Sequence, residues 1–86
     1  MMRVMAALPP VIETLAELVR INSVNAFYEG GPGEANVAKW IESFFASRGI
    51  ETTRQEVFPN RWNVLAHLPG QCSERRLVLE AHMDTV

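Results

Sequence analysis

Eighty-six residues are enough for one small domain or for a piece of a larger one, and 48% hydrophobic residues exclude a disordered tail. Eight basic against ten acidic residues leave a net charge of −2, and only Arg75-Arg76 places two basic residues side by side. That balance excludes a nucleic-acid footprint.

In the segment 1–8 one arginine is followed by a run of five apolar residues, short of the ~7–15 that a secretory core needs. No run approaches the ~18 apolar residues of a membrane span. Cys72 is the only cysteine, so no internal disulfide can form. In its Gly-Gln-Cys-Ser-Glu turn it reads as an incidental thiol, and a reducing, cytoplasmic setting is expected.

Pro9-Pro10 punctuate a helix start, where a missing amide donor costs nothing. Val11, Leu15, Leu18 and Val19 then recur at i, i+4, i+7 and i+8, which predicts an amphipathic helix. Glu13 early and Arg20 late both complement its dipole. The turn chemistry of Asn22-Ser23 and Asn25 ends it near Ile21. Residues 27–33 hold three glycines but match neither the dinucleotide nor the Walker spacing, so a flexible loop is expected.

A second helix is predicted from about Glu34 to Arg48, with Val37, Ala38, Ile41, Phe44, Phe45 and Trp40 as its apolar face. The aromatic stripe reads as core, and Gly49 supplies the left-handed residue that stops the helix. Residues 50–58 then alternate loosely with threonines and Val57, a strand that turns at Pro59-Asn60. A second strand over residues 62–68 carries Val64 and Leu65, and the short connection predicts an antiparallel pair. His67, near its end, reads as a solvated strand histidine. Residues 77–81, Leu-Val-Leu-Glu-Ala, predict a third strand, apolar enough to be covered on both faces.

His82 and Asp84 follow that run directly. Residues two apart in extended backbone share a face. An imidazole can bind a metal through one ring nitrogen while a carboxylate holds the other and sets the tautomer. The plainer alternative is a surface histidine next to an aspartate. Open α/β sheets place their ligand sites at the carboxyl ends of strands, where this pair is expected.

The closing stretch Leu-Val-Leu-Glu-Ala-His-Met-Asp-Thr-Val resembles the first metal motif of a zinc hydrolase family. That family comprises aminoacylase, carboxypeptidase G, acetylornithine deacetylase and succinyl-diaminopimelate desuccinylase. Three further matches lie in register. Arg20-Ile21-Asn22-Ser23-Val24-Asn25 after the first helix is similar to the family's opening turn. Gly33-Glu34 leads into a helix closing at Arg48-Gly49-Ile50, like its second helix. Asn63-Val64-Leu65-Ala66 with Leu68-Pro69-Gly70 resembles its second strand and turn.

The resemblance implies an α/β fold in which two helices and three strands begin a three-layer α/β/α catalytic domain. Residues 1–86 would form its amino-terminal portion, incomplete and inactive alone. The implied activity is metal-dependent hydrolysis of an amide in an N-acyl amino acid or small peptide. The implied cofactor is Zn2+, two ions per complete site, with Co2+ or Mn2+ as alternatives. His82 would be a metal ligand, and Asp84 would join the catalytic apparatus by orienting that imidazole. The family's bridging aspartate, general-base glutamate and remaining ligands lie after this motif, and a homodimer is expected of the complete enzyme. Two other readings remain open: a non-catalytic α/β module that binds a partner at an exposed sheet edge, and a plain α/β domain with a chance His-x-Asp.

Overall fold

The computed structural model describes residues 10–86, so the expectations for segment 1–8 and for Pro9 lie outside the described residues. The chain is α/β in class. Its elements in order are α1 (Pro10–Arg20), α2 (Ala35–Ala46), β1 (Thr52–Phe58) and β2 (Arg61–Ala66).

Helix α1 starts on Pro10 and keeps Glu13 in its first turn and Arg20 in its last. It buries none of its residues, and Val11, Leu15 and Val19 stay exposed. Periodicity determines which face of a helix is apolar, but burial requires a surface for that face to meet. Past the helix, the Asn22 side-chain oxygen accepts from the Val24 N–H at 3.1 Å, a local bond that competes with another helical turn.

Helix α2 is shorter than its periodicity suggests. Arg48 lies beyond the last turn, and its guanidinium donates to the Phe44 carbonyl at 3.0 Å, as the Ser47 hydroxyl does at 2.8 Å. These two bonds satisfy a carbonyl that the ending helix leaves open. Gly49 sits at φ 72, the left-handed residue expected there. At the other end, the buried Glu34 is the N-cap but does not bond the helix amides, because its Oε1 accepts from Arg61 Nε at 2.9 Å. This bond ties the start of α2 to the start of β2.

β1 and β2 form the antiparallel pair predicted from their short connection, with Arg54 opposite Val64 and Glu56 opposite Trp62. Pro59-Asn60 makes the turn, and Asn60 takes φ 61, which asparagine tolerates better than most residues. An irregularity between Glu56 and Phe58 leaves Val57 out of the register. Opposed residues share a face, so Thr52, Arg54, Glu56, Trp62, Val64 and Ala66 form one side of the hairpin. On β2 the residues of that side, Trp62, Val64 and Ala66, are less exposed than their neighbours Asn63 and Leu65.

Among the described residues, the buried apolar side chains are Val37 and Ala38 of α2 and Trp62 of β2. The core is therefore the seam between one helix and one hairpin. Arg54 lays its guanidinium over the Trp62 ring at 4.1 Å and forks onto Glu42 with bonds of 2.6 and 2.9 Å. Glu42 is held below the usual carboxylate range, chiefly by the hydrogen bond from Arg54. The aromatic stripe of α2 is only half-buried. Trp40 stacks on Phe44 at 5.3 Å, Phe45 meets Phe44 edge-on at 5.6 Å, and Arg48 covers Phe44 at 3.6 Å. The stripe thus packs partly on itself and under Arg48 just past the helix.

The third strand expected over residues 77–81 does not form. Leu77, Val78 and Leu79 are 86, 81 and 88% exposed, and none of these residues joins the sheet. A β-prone sequence favours extended backbone, but a strand exists only where a neighbour supplies a ladder of hydrogen bonds. Residues 77–81 have no such neighbour among the described residues. No helix among the described residues is long and apolar enough to cross a membrane.

Candidate metal-ligand site

The chain regains a partner just past the apolar run. Thr85 donates its N–H to the Ser23 carbonyl at 2.9 Å, and Asn25 donates its N–H to the Thr85 carbonyl at 2.9 Å. These two bonds are the unit of a parallel ladder, centred on Val24 opposite Thr85. Buried Ser23 adds a hydroxyl contact to the Thr85 hydroxyl at 3.3 Å. The site residues His82 and Asp84 are therefore placed by a bridge to the α1–α2 connection, and not by the end of a strand.

That connection is built to hold its position. Residues 27–33, which read as a flexible loop, turn on backbone bonds from Tyr28 N to Asn25 O, Gly31 N to Tyr28 O and Gly33 N to Val24 O, at 2.9–3.0 Å. Gly31 passes so close to Val24 and Asn25 that an added Cβ would overlap the Asn25 carbonyl oxygen. Only glycine fits at such an approach.

His82 and Asp84 meet as their spacing suggests. Nδ1 of His82 lies 2.9 Å from the Asp84 carbonyl oxygen and 3.2 Å from its carboxylate Oδ1. Both oxygens only accept when the carboxylate is ionised, so Nδ1 carries the hydrogen and donates. In the neutral ring, Nε2 is then the atom with the free lone pair. The His82 side chain is 85% exposed, so the ring is accessible to solvent, while Asp84 is 32% exposed.

Asn25 completes the arrangement and is the residue that sequence reasoning passed over. Its Nδ2 donates to Asp84 Oδ2 at 2.9 Å. This bond is the main reason the Asp84 carboxyl sits below the usual carboxylate range, with burial opposing it and the neighbouring His82 adding to it. The signal in the sequence was the turn chemistry of residues 22–25, but nothing there reveals a partner 59 positions away.

The lowered Asp84 value has a direct consequence for pH dependence. A group whose folded value lies below its unfolded one stabilises the fold above the unfolded value, about 3.9 for aspartate, and loses that contribution as pH falls through the folded value. The clasp between residues 23–25 and 84–85 is therefore expected to hold unchanged from neutrality down to about pH 4 and to loosen below it. Protection of the Thr85 amide from hydrogen exchange, followed against pH, reads this out. Loss of that protection already between pH 5 and 7 would contradict it.

These donors fit the contribution of one metal ligand. His82 offers a single oriented imidazole nitrogen, with a carboxylate and a carbonyl behind it. Among the described residues, no group of three or more His, Cys, Asp or Glu side chains converges into a cage. His67 lies exposed just past β2, and Glu80 is exposed on the unpaired run. Cys72 is an exposed free thiol. No family model matches the chain, and no curated protein or solved structure does either, so the case for this site rests on its own residues and their geometry.

Proposed function

We propose that this chain is the amino-terminal part of the catalytic domain of a zinc-dependent amide hydrolase acting on N-acyl amino acids or small peptides. The observation that carries the proposal is the anchoring of His82 Nδ1 by Asp84, which leaves Nε2 as the nitrogen free to bind. The four motif resemblances, in order along the chain, supply the family. Within that reading, His82 donates one Nε2 lone pair to Zn2+, or to Co2+ or Mn2+ in its place. Asp84 holds the tautomer and raises the basicity of the ring. Bound zinc supplies a polarised water and a Lewis acid for the scissile carbonyl.

The exposed apolar surfaces of α1 and of residues 77–79 are consistent with a larger three-layer α/β/α domain around these elements, in which those surfaces would be covered. One ligand does not make a catalytic site, so the 86 residues are expected to be inactive alone. A cytoplasmic location belongs to the same proposal and rests on the single, exposed, unpaired cysteine. Dimerisation of the complete enzyme belongs to it through the resemblance alone.

The test is a zinc titration of the 86-residue chain followed through the ring nitrogens of His82 and His67. The proposal expects weak binding with Nε2 of His82 shifting first, and loss of that zinc binding in His82→Ala. A His82 ring indifferent to zinc would sink the proposal. Tight, stoichiometric binding would sink the claim that only one ligand is present.

One observation favours a second reading. The two-stranded sheet and the exposed run 77–79 offer backbone edges to another chain, as a strand-adding binding module would. A chain that is folded and monomeric at high concentration, with no partner, would count against it.

A further inference from the structure

We infer that Asn25 is a positioning residue for the His82 imidazole: it clamps the Asp84 carboxylate with Oδ1 against His82 Nδ1, and so favours the Nδ1–H form that presents Nε2 as the free nitrogen.

The clamp follows from which end of the Asn25 amide faces where. The two ends of an asparagine amide are told apart by their partners. The Phe27 backbone N–H points at one end at 2.9 Å, and an N–H can only donate, so that end is Oδ1. The other end, Nδ2, must then face Asp84, and its bond to Oδ2 at 2.9 Å is a donor meeting a carboxylate. With Oδ2 engaged, Oδ1 of Asp84 is the carboxylate oxygen turned to His82 Nδ1, at 3.2 Å, beside the Asp84 carbonyl oxygen that accepts from the same nitrogen at 2.9 Å. The sequence of donors is thus Phe27 N–H to Asn25, Asn25 to Asp84, and His82 Nδ1–H to Asp84.

The backbone of Asn25 is held as firmly as its side chain. Its N–H donates to Thr85 at 2.9 Å and its carbonyl accepts from Tyr28 at 3.0 Å. Four hydrogen-bonding groups of one residue are therefore engaged, two of them across the bridge to residues 84–85. A side chain that merely filled space would not need its donor turned to a carboxylate. Only the zinc affinity rests on the proposed function; the tautomer belongs to the chain whatever His82 binds.

Asn25→Asp is the discriminating substitution. It keeps an oxygen for the Phe27 N–H and the same shape, but turns an acceptor toward Asp84 where a donor stood. Two readouts on the 86-residue chain are made at neutral pH: the 15N shifts of the His82 ring, which report the tautomer, and the zinc affinity. In the native chain the Nδ1–H form is expected to dominate. In Asn25→Asp that form should lose its dominance, and zinc affinity should fall about tenfold, the low end for a residue supporting a ligand. Asn25→Ala should do the same.

A His82 tautomer unchanged in Asn25→Asp overturns the clamp, whatever zinc does. A tautomer that shifts as expected while neither chain binds zinc supports the clamp and removes the metal reading. If the variants fail to fold, the native chain decides alone. Its Asn25 side-chain amide must then show one proton shifted downfield and protected from exchange, and an amide resonating as in free asparagine overturns the inference.

Discussion

Replacing Trp62 by alanine is expected to abolish the cooperative unfolding transition of the chain. Trp62 is 8% exposed, on the face of β2 turned to α2, and it is the largest of the buried apolar side chains described. The others are Val37 and Ala38, so among the described residues no second large apolar side chain is buried in the seam between helix and hairpin. Truncating a buried tryptophan costs about 3–5 kcal/mol. Total stability for a chain of this size is about 4–13 kcal/mol at ~0.05–0.15 kcal/mol per residue, and a core this small argues for the low end. Arg54 would also lose the ring beneath its guanidinium, leaving its fork onto Glu42 as a solvent-screened surface ion pair that contributes little. Thermal unfolding followed by circular dichroism tests this: the native chain melts with a sigmoid and the variant drifts without one. Trp62→Phe, which keeps an aromatic body in the seam, should retain a transition at lower temperature. A sigmoid surviving in Trp62→Ala would mean that the core lies elsewhere.

The second large effect is expected at Gly31, where the constraint is space and not backbone angle. A methyl group there would overlap the Asn25 carbonyl oxygen and lie 2.9 Å from that of Val24. Both obstacles are backbone, so no side chain can swing aside, and the turn of residues 25–33 must open. Overpacking of this kind costs about 1–3 kcal/mol. The cost should appear locally, since Val24 and Asn25 carry the bridge to Thr85. Hydrogen exchange at the Asn25 and Thr85 amides is therefore expected to quicken by roughly tenfold to a hundredfold in Gly31→Ala. Amides in β1 and β2 should be unaffected. Gly70→Ala, where an added methyl meets nothing within 4 Å, is the matched control and should change neither. Equal quickening throughout the chain would mean that the connection is not a separate unit.

The two predictions bear on different parts of the molecule, and the sequence made those parts legible to different degrees. Around Trp62 the local chemistry was sufficient for the hairpin, but not for the core, since the aromatic stripe of α2 read as core is half-buried and Trp62 is buried instead. The turn residues Pro59-Asn60 announce a hairpin, and Gly49 announces the end of α2. Each of these signals acts within a few residues, through φ preference or a missing donor. Around His82 the two-residue spacing foretold that imidazole and carboxylate would meet, as they do at 3.2 Å. Asn25, which sets the carboxylate, was seen only as turn chemistry.

What the sequence by itself determined is thus the set of local conformations: two helices, a hairpin, a left-handed stop and a His-x-Asp pair sharing a face. Tertiary structure decided which of the apolar segments found partners. Val37, Ala38 and Trp62 did, while the stripe of α1 and the run 77–79, equally apolar by composition, did not. It also decided that residues 84–85 pair with residues 23–25 and not with the hairpin. Backbone angles and side-chain periods are properties of neighbours in the chain, whereas a ladder bond or a buried face requires a second surface that local sequence does not specify.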